Sequence, residues 1–235
     1  MNDDDQQLGD RREVVLLNFC QLMKIPFTQG QFLEVFKNYN NAVFPAQVLF
    51  YLIAVLVIYL IIKKPRTSGK VITYCLAFFW LWMGIVYHLI FFTTINKAAY
   101  LFGVLFILEA IFLLTYSYKL TYTFSFNVRS SISALLIFYA LIAYPVIGIF
   151  LDHAYPYAPT FGLPCPTTIF TFGILLLAEN KVTRILLVIP LLWSLVGTSA
   201  ALNLDFYEDY GMLVAGVISA AFIFRSPKFR LSEYR

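Results

Sequence analysis

One cysteine in this chain stands between two prolines at the head of an apolar run, in the stretch FGLPCPTTIFTFG from Phe161 to Gly173. Pro164 and Pro166 flank Cys165, and Pro166 suits the first position of a helix, where its missing N–H would be unbonded anyway. A helix start sets free amides and the positive end of the helix dipole beside the thiol, a setting in which thiols act as metal ligands or nucleophiles. Asp152 and His153 precede that run, Asp205, Glu208 and Asp209 precede a later one, and His88 lies towards the same end of the molecule. Carboxylate, imidazole and thiol together can coordinate a divalent cation, and Cys165, His153, Asp205 and Asp209 are the set that such a metal would use. With Pro164, Pro166 and His88 they would form an outer mouth. A plainer reading stands beside this one. The motif starts a helix, and the neighbouring loops are acidic because lysine and arginine are kept on the other side.

A second group lies inside an apolar segment. Glu109 sits within FGVLFILEAIFLL, where a central acidic side chain costs about 2.5 to 3.5 kcal/mol on insertion scales and should face other helices or a wet cavity. A rise of about 1.5 Å per residue brings it to the depth of Tyr139, with Thr171 and Trp193 also near the midplane. Glu109, Tyr139, Thr171 and Trp193 are therefore the residues expected to line a solute or ion pathway. Glu109 would serve there as a proton carrier or as a neutral structural donor paired with the phenol. Trp80, Trp82 and Tyr87 either pack a core or line a pocket for an apolar or cationic ligand.

The elements that must position these residues follow from composition. Sixty per cent of the 235 residues are hydrophobic and 13% are charged, with a mean hydropathy of +0.77, more apolar surface than a soluble fold of this length can hide. Apolar runs give about seven candidate spans, over 46–62, 71–92, 98–116, 132–151, 163–178, 185–202 and 211–224. The fold expected is an all-α polytopic transmembrane bundle. Lys63, Lys64, Arg66, Lys70, Lys119, Arg129, Lys181 and Arg184 alternate with loops almost free of basic residues, which places the N-terminus outside and the C-terminus in the cytoplasm. Four segments are expected: an acidic flexible tail over 1–24, an amphipathic surface helix over 25–45, the bundle over 46–224 and a basic cytoplasmic tail over 225–235. Thr28 and Gln31 have the spacing of a capping box. Phe32, Val35, Phe36, Tyr39 and Val43 then share one face of the surface helix. Pro145 and Pro190 should kink their helices and free carbonyls for neighbours to satisfy. Gly211, Ala215 and Ser219, with Gly216 and Ala220, form a small-residue seam suited to another helix, in a second copy or a membrane partner.

Two stretches, IPFTQGQFLEVFKNYNNAVFPAQ and FGLPCPTTIFTFGILL, resemble an uncharacterised family of bacterial multi-pass membrane proteins that carries only a domain-of-unknown-function label. The resemblance covers nearly everything after residue 24 and implies a bacterial inner-membrane location, with no activity attached. Function must come from the residues. No P-loop, GxSxG, HExxH or dinucleotide fingerprint is present, and the last span has no lysine for a Schiff base, so neither a nucleotide nor retinal is expected as cofactor. The basic residues form no stripe for nucleic acid. The leading expectation is a bundle that binds or passes a small solute or cation. The alternatives are a non-transporting sensor or interaction partner, and a membrane enzyme that uses Cys165 as its nucleophile with His153 as base.

Overall fold

A computed structural model describes residues 25–63, 68–122, 127–178 and 182–225. The expected acidic and basic tails lie outside these residues, apart from Arg225, as do the loop residues Lys64, Arg66 and Lys181. Within them the regular secondary structure is helical, with two isolated β-bridges, Tyr122 to Ala178 and Phe161 to Leu163. Six helices are long and apolar enough to cross a membrane: Ala46–Lys63, Ser68–Thr94, Ala99–Lys119, Val128–Phe150, Thr183–Leu204 and Tyr207–Phe224. Leu52, Val55, Leu101, Leu135, Leu195 and Val217 stand exposed on them, as suits a lipid bilayer.

Helix α1 (Gln29–Val43) begins with the expected capping box. Thr28 Oγ1 accepts from the Gln31 amide at 3.3 Å, and Gln31 Oε1 accepts from the Thr28 amide at 2.9 Å. Its apolar face packs on the bundle. Phe32 and Phe36 pack on Phe206 at 5.3 and 6.0 Å between ring centroids, and Phe36 faces Tyr87 at 6.2 Å. The bundle itself supplies the apolar cover.

Helix α2 (Ala46–Lys63) is peripheral and buries only the stripe Gln47, Phe50, Ala54, Val57 and Ile61. Helix α3 (Ser68–Trp82) runs on into a π-helical segment, Met83–Phe91, and a 3₁₀ turn, Phe92–Thr94. It packs against α4 (Ala99–Tyr116) where Gly84 and Gly103 let the backbones approach. A Cβ on Gly103 would stand 3.1 Å from the Gly84 carbonyl. Helix α5 (Val128–Phe138) likewise widens into a π segment, Tyr139–Ala143, before α6 (Tyr144–Phe150). Pro145 cannot donate to the carbonyl of Leu141, and the Tyr51 hydroxyl donates to that carbonyl at 3.4 Å, the substitution expected of an intramembrane proline.

The fifth expected span differs from the rest. Helix α7 (Pro164–Leu176) has 13 residues, and every one is buried. At about 1.5 Å per residue it covers some two-thirds of a bilayer core of about 30 Å. It is a central pillar, entered through the 151–163 loop and enclosed by α5, α9 (Val188–Leu204) and α10 (Tyr210–Arg225). The short α8 (Thr183–Leu186) precedes α9, and the chain steps between them ahead of Pro190. The small-residue seam of α10 is used within the chain. Ala215 and Ser219 are fully buried, and a Cβ on Gly216 would meet Ser194 Oγ at 2.9 Å.

Candidate functional site

The bundle has two chemically different ends. The basic end holds Lys63, Lys119 and Arg184; the acidic end holds α1, the 151–163 loop, the start of α7 and the turn from α9 to α10. At the acidic end α7 starts from a fixed geometry. Gly162 has φ +101°, and a Cβ there would collide with the Phe50 ring, so only glycine suits both the conformation and the space. Its amide donates to Thr167 Oγ1 at 2.9 Å. Cys165 is thereby held 8% exposed with its thiol against the Asp209 carboxylate.

The turn between α9 and α10 supplies the carboxylates. Asp205 ends α9 in a left-handed conformation, φ 58°, and the 3₁₀ turn Tyr207–Asp209 then directs Glu208 and Asp209 inward. Tyr144 donates to Asp209 Oδ1 at 2.5 Å, Tyr139 donates to the Glu208 carbonyl at 2.8 Å, and His153 Nδ1 lies 2.7 Å from Glu208 Oε1. His153 also stacks on Phe206, with centroids 4.4 Å apart. Residues from α6, the π segment before it, the 151–163 loop, α7 and the α10 turn thus converge in one buried polar cluster. Glu208 Oε2 has no hydrogen-bond partner there.

Beside the cluster lies a cavity of about 400 Å³, roofed by α1 and the residues before it. Phe27, Phe32, Tyr87, Phe92, Phe102 and Trp193 form its walls, and Cys165 and Asp209 its floor. Pro26, Ala98 and Val196 on its lining are exposed, so it opens to the surroundings. The Trp193 indole N–H makes no hydrogen bond, although the Cys165 sulfur is close by. Asn40 fastens the roof. Its Nδ2 donates to the carbonyls of Pro156 and Ala158 at 2.7 and 2.8 Å, and its Oδ1 accepts from Thr160 at 2.8 Å. Tyr39 accepts from Trp82 Nε1 at 2.8 Å. Burial pushes the Tyr39 phenol well above its usual pKa, against a smaller opposing effect of that bond, so it stays neutral.

The residues expected at the mouth are only partly brought together. Cys165, Pro164 and Asp209 line the cavity, and His153 stands behind Asp209 through Glu208. Asp205 is exposed and meets only Tyr207, at 3.3 Å, because the left-handed cap turns it away from its two acidic successors. Among the described residues no three His, Cys, Asp or Glu side chains come close enough to hold a metal ion. The proposed metal set is therefore not assembled. His88 lies not at the mouth but behind the cavity wall, fully buried, 4.5 Å from Phe106 and 5.1 Å from Trp193 between ring centroids. Neither of its ring nitrogens has a partner.

The midplane group is also divided. Tyr139 spends its hydroxyl on Glu208 and does not reach Glu109, which is fully buried with neither oxygen hydrogen-bonded. Thr171 accepts from Trp80 Nε1 at 3.1 Å and donates to Thr167 O at 2.8 Å. Of these four residues only Trp193 lines the cavity. Trp80 and Trp82 are each tied to a polar partner, which leaves Tyr87 as the one member of its aromatic group in the wall. Tyr144 and Glu208 are central to the cluster, although neither ranks among the site residues expected from sequence. The signal of Tyr144 is hidden by the π segment before it. Tyr139 and Tyr144, five residues apart, come within 6.3 Å, and Tyr87 and Phe92, also five apart, stack at 5.6 Å. That spacing belongs to i→i+5 geometry and not to the ordinary 3.6-residue period.

A family model matches residues 29–232. The chain belongs to the family of unknown function DUF6064. No curated protein and no solved structure matches the chain. The matched region takes in α1, the PCP start of α7 and the whole acidic-end cluster, so the site is part of what the family model describes.

Proposed function

We propose that this chain is a multi-pass membrane protein that binds a small solute in the acidic-end cavity. The alternation of lysine and arginine between loops supports an acidic end that faces out of the cell, and a bacterial inner membrane is the expected setting. The observation that carries this reading is the juxtaposition of a mainly aromatic hollow of about 400 Å³ with a small set of fixed polar groups on its floor. That is the usual make-up of a small-molecule site, in which apolar walls supply affinity and a few polar atoms supply orientation. The thiol-enzyme reading has less support, because the group against the Cys165 thiol is the Asp209 carboxylate, while His153 pairs through Nδ1 with Glu208. The docking reading has less support, because Ala215, Gly216 and Ser219 of the α10 seam are buried in the same chain.

Ala200 lines the cavity, so Ala200→Trp would fill it. The test is thermal unfolding in lipid nanodiscs across a panel of small aromatic and amphiphilic solutes, with the unmodified chain and the filled variant side by side. A site-specific solute at about 100 times its Kd should stabilise the unmodified chain by about 2.7 kcal/mol and leave the filled variant unmoved. If no solute distinguishes the two proteins, the cavity is not a binding site.

A further inference from the structure

We infer that the ligand of this cavity is an organic ammonium ion, held between the Asp209 carboxylate and the surrounding aromatic faces. The inference rests on the reading of the cavity as a solute site and adds the class of solute. Charge is the first ground. Among the described residues that line the cavity, Asp209 is the one carboxylate and there is no lysine or arginine. The sequence holds no basic residue over 130–178 or 185–224 other than His153, so the elements that build the floor bring no countercharge except that imidazole. His153 is already engaged by Glu208. The nearby α1 lysine, Lys37, is turned outward to Glu34 at 3.0 Å and over the Tyr157 ring.

The helix that starts at the floor does not reverse this sign. A helix N-terminus ordinarily attracts anions through its free amides, but two of the first three positions of α7 are Pro164 and Pro166, which have no N–H. The Thr167 amide is bonded to Leu163 O at 3.3 Å. Aromatic rings supply the second ground. Tyr87, Phe92, Phe102 and Trp193 present ring surface around a hollow of this size, and such a cage over a carboxylate is the arrangement that favours alkylammonium groups over neutral molecules of the same shape.

The test is calorimetric titration of the unmodified chain in phosphatidylglycerol nanodiscs with choline and with 3,3-dimethylbutanol, its uncharged isostere. Choline is expected to bind about tenfold tighter or better, and Asp209→Asn should erase the difference while still accepting the Tyr144 hydroxyl. Equal affinities, or tighter binding of the alcohol, would leave the cavity as a solute site and overturn the ammonium assignment. If neither binds, the ammonium assignment fails, and the solute site is judged by the thermal panel alone. Repeating the titration in phosphatidylcholine discs separates two sources of the same chemistry. Weakened choline binding there assigns the site to a lipid headgroup, and unchanged binding assigns it to a free solute.

Discussion

Two hollows of similar size among the described residues differ in chemistry. At the acidic end about 400 Å³ is enclosed by aromatic rings over Cys165 and Asp209. In the basic half a groove of about 510 Å³ runs between α2 and α5, lined by Val55, Ile58, Ile62, Ile137 and Leu141 with Ser133 as its one hydroxyl. That hydroxyl already donates to Gly173 O at 2.7 Å. The larger hollow therefore has nothing left to orient a ligand and suits hydrocarbon chains of the bilayer. The smaller one keeps polar atoms in reserve. Volume does not make a site; unspent polar groups in fixed positions do.

The strongest way to break this contrast is to displace the start of α7. Gly162→Val should cost about 3 kcal/mol or more, because it forces a β-branched residue into positive φ and a Cβ into the Phe50 ring. Denaturant unfolding in detergent measures it. Removing one partner of the buried cluster should cost less. Glu208→Ala leaves His153 without its carboxylate while the Tyr139 bond to the backbone survives. A loss of about 1–3 kcal/mol is expected in the same assay.

Glu109 sharpens the comparison by the opposite sign. Its carboxyl has no partner to lose, so Glu109→Leu should raise stability by about 2 kcal/mol, the desolvation cost removed. A destabilised variant would mean that the carboxyl is bonded after all. The smallest effect is expected at the roof. Thr28→Ala removes the α1 cap for about 1 kcal/mol, and hydrogen exchange should show it as faster exchange confined to α1.

Much of this architecture was readable from residue type and spacing. The capping box of Thr28 and Gln31 and the freed carbonyl ahead of Pro145 follow from local chemistry that tertiary packing does not override; a helix start in LPCPT does as well, although it falls at Pro164 and not at Pro166, where it was expected. Which side chains meet was not readable. Glu109 and Tyr139 were expected to meet at one level, yet Tyr139 sits on a π segment whose wider turn carries it round to Glu208. Likewise Asp205, Glu208 and Asp209 look equivalent in NLDFYEDY, and only the left-handed cap at Asp205 followed by a 3₁₀ turn separates the exposed carboxylate from the two buried ones. The buried pillar α7 reads as a seventh span because its composition is that of one; its length of 13 residues and its complete enclosure set it apart.

The central claim is that the acidic-end cavity is an accessible site with Cys165 on its floor. Its most direct test is alkylation of Cys165 by a small water-soluble maleimide in nanodiscs, with Cys20 and Cys75 replaced by serine, in the presence and absence of Ala200→Trp. Complete modification of the folded chain, slowed about tenfold or more when the cavity is filled, is the result expected of a thiol reached through that hollow. A thiol that reacts only after unfolding, or at the same rate in both proteins, would contradict it.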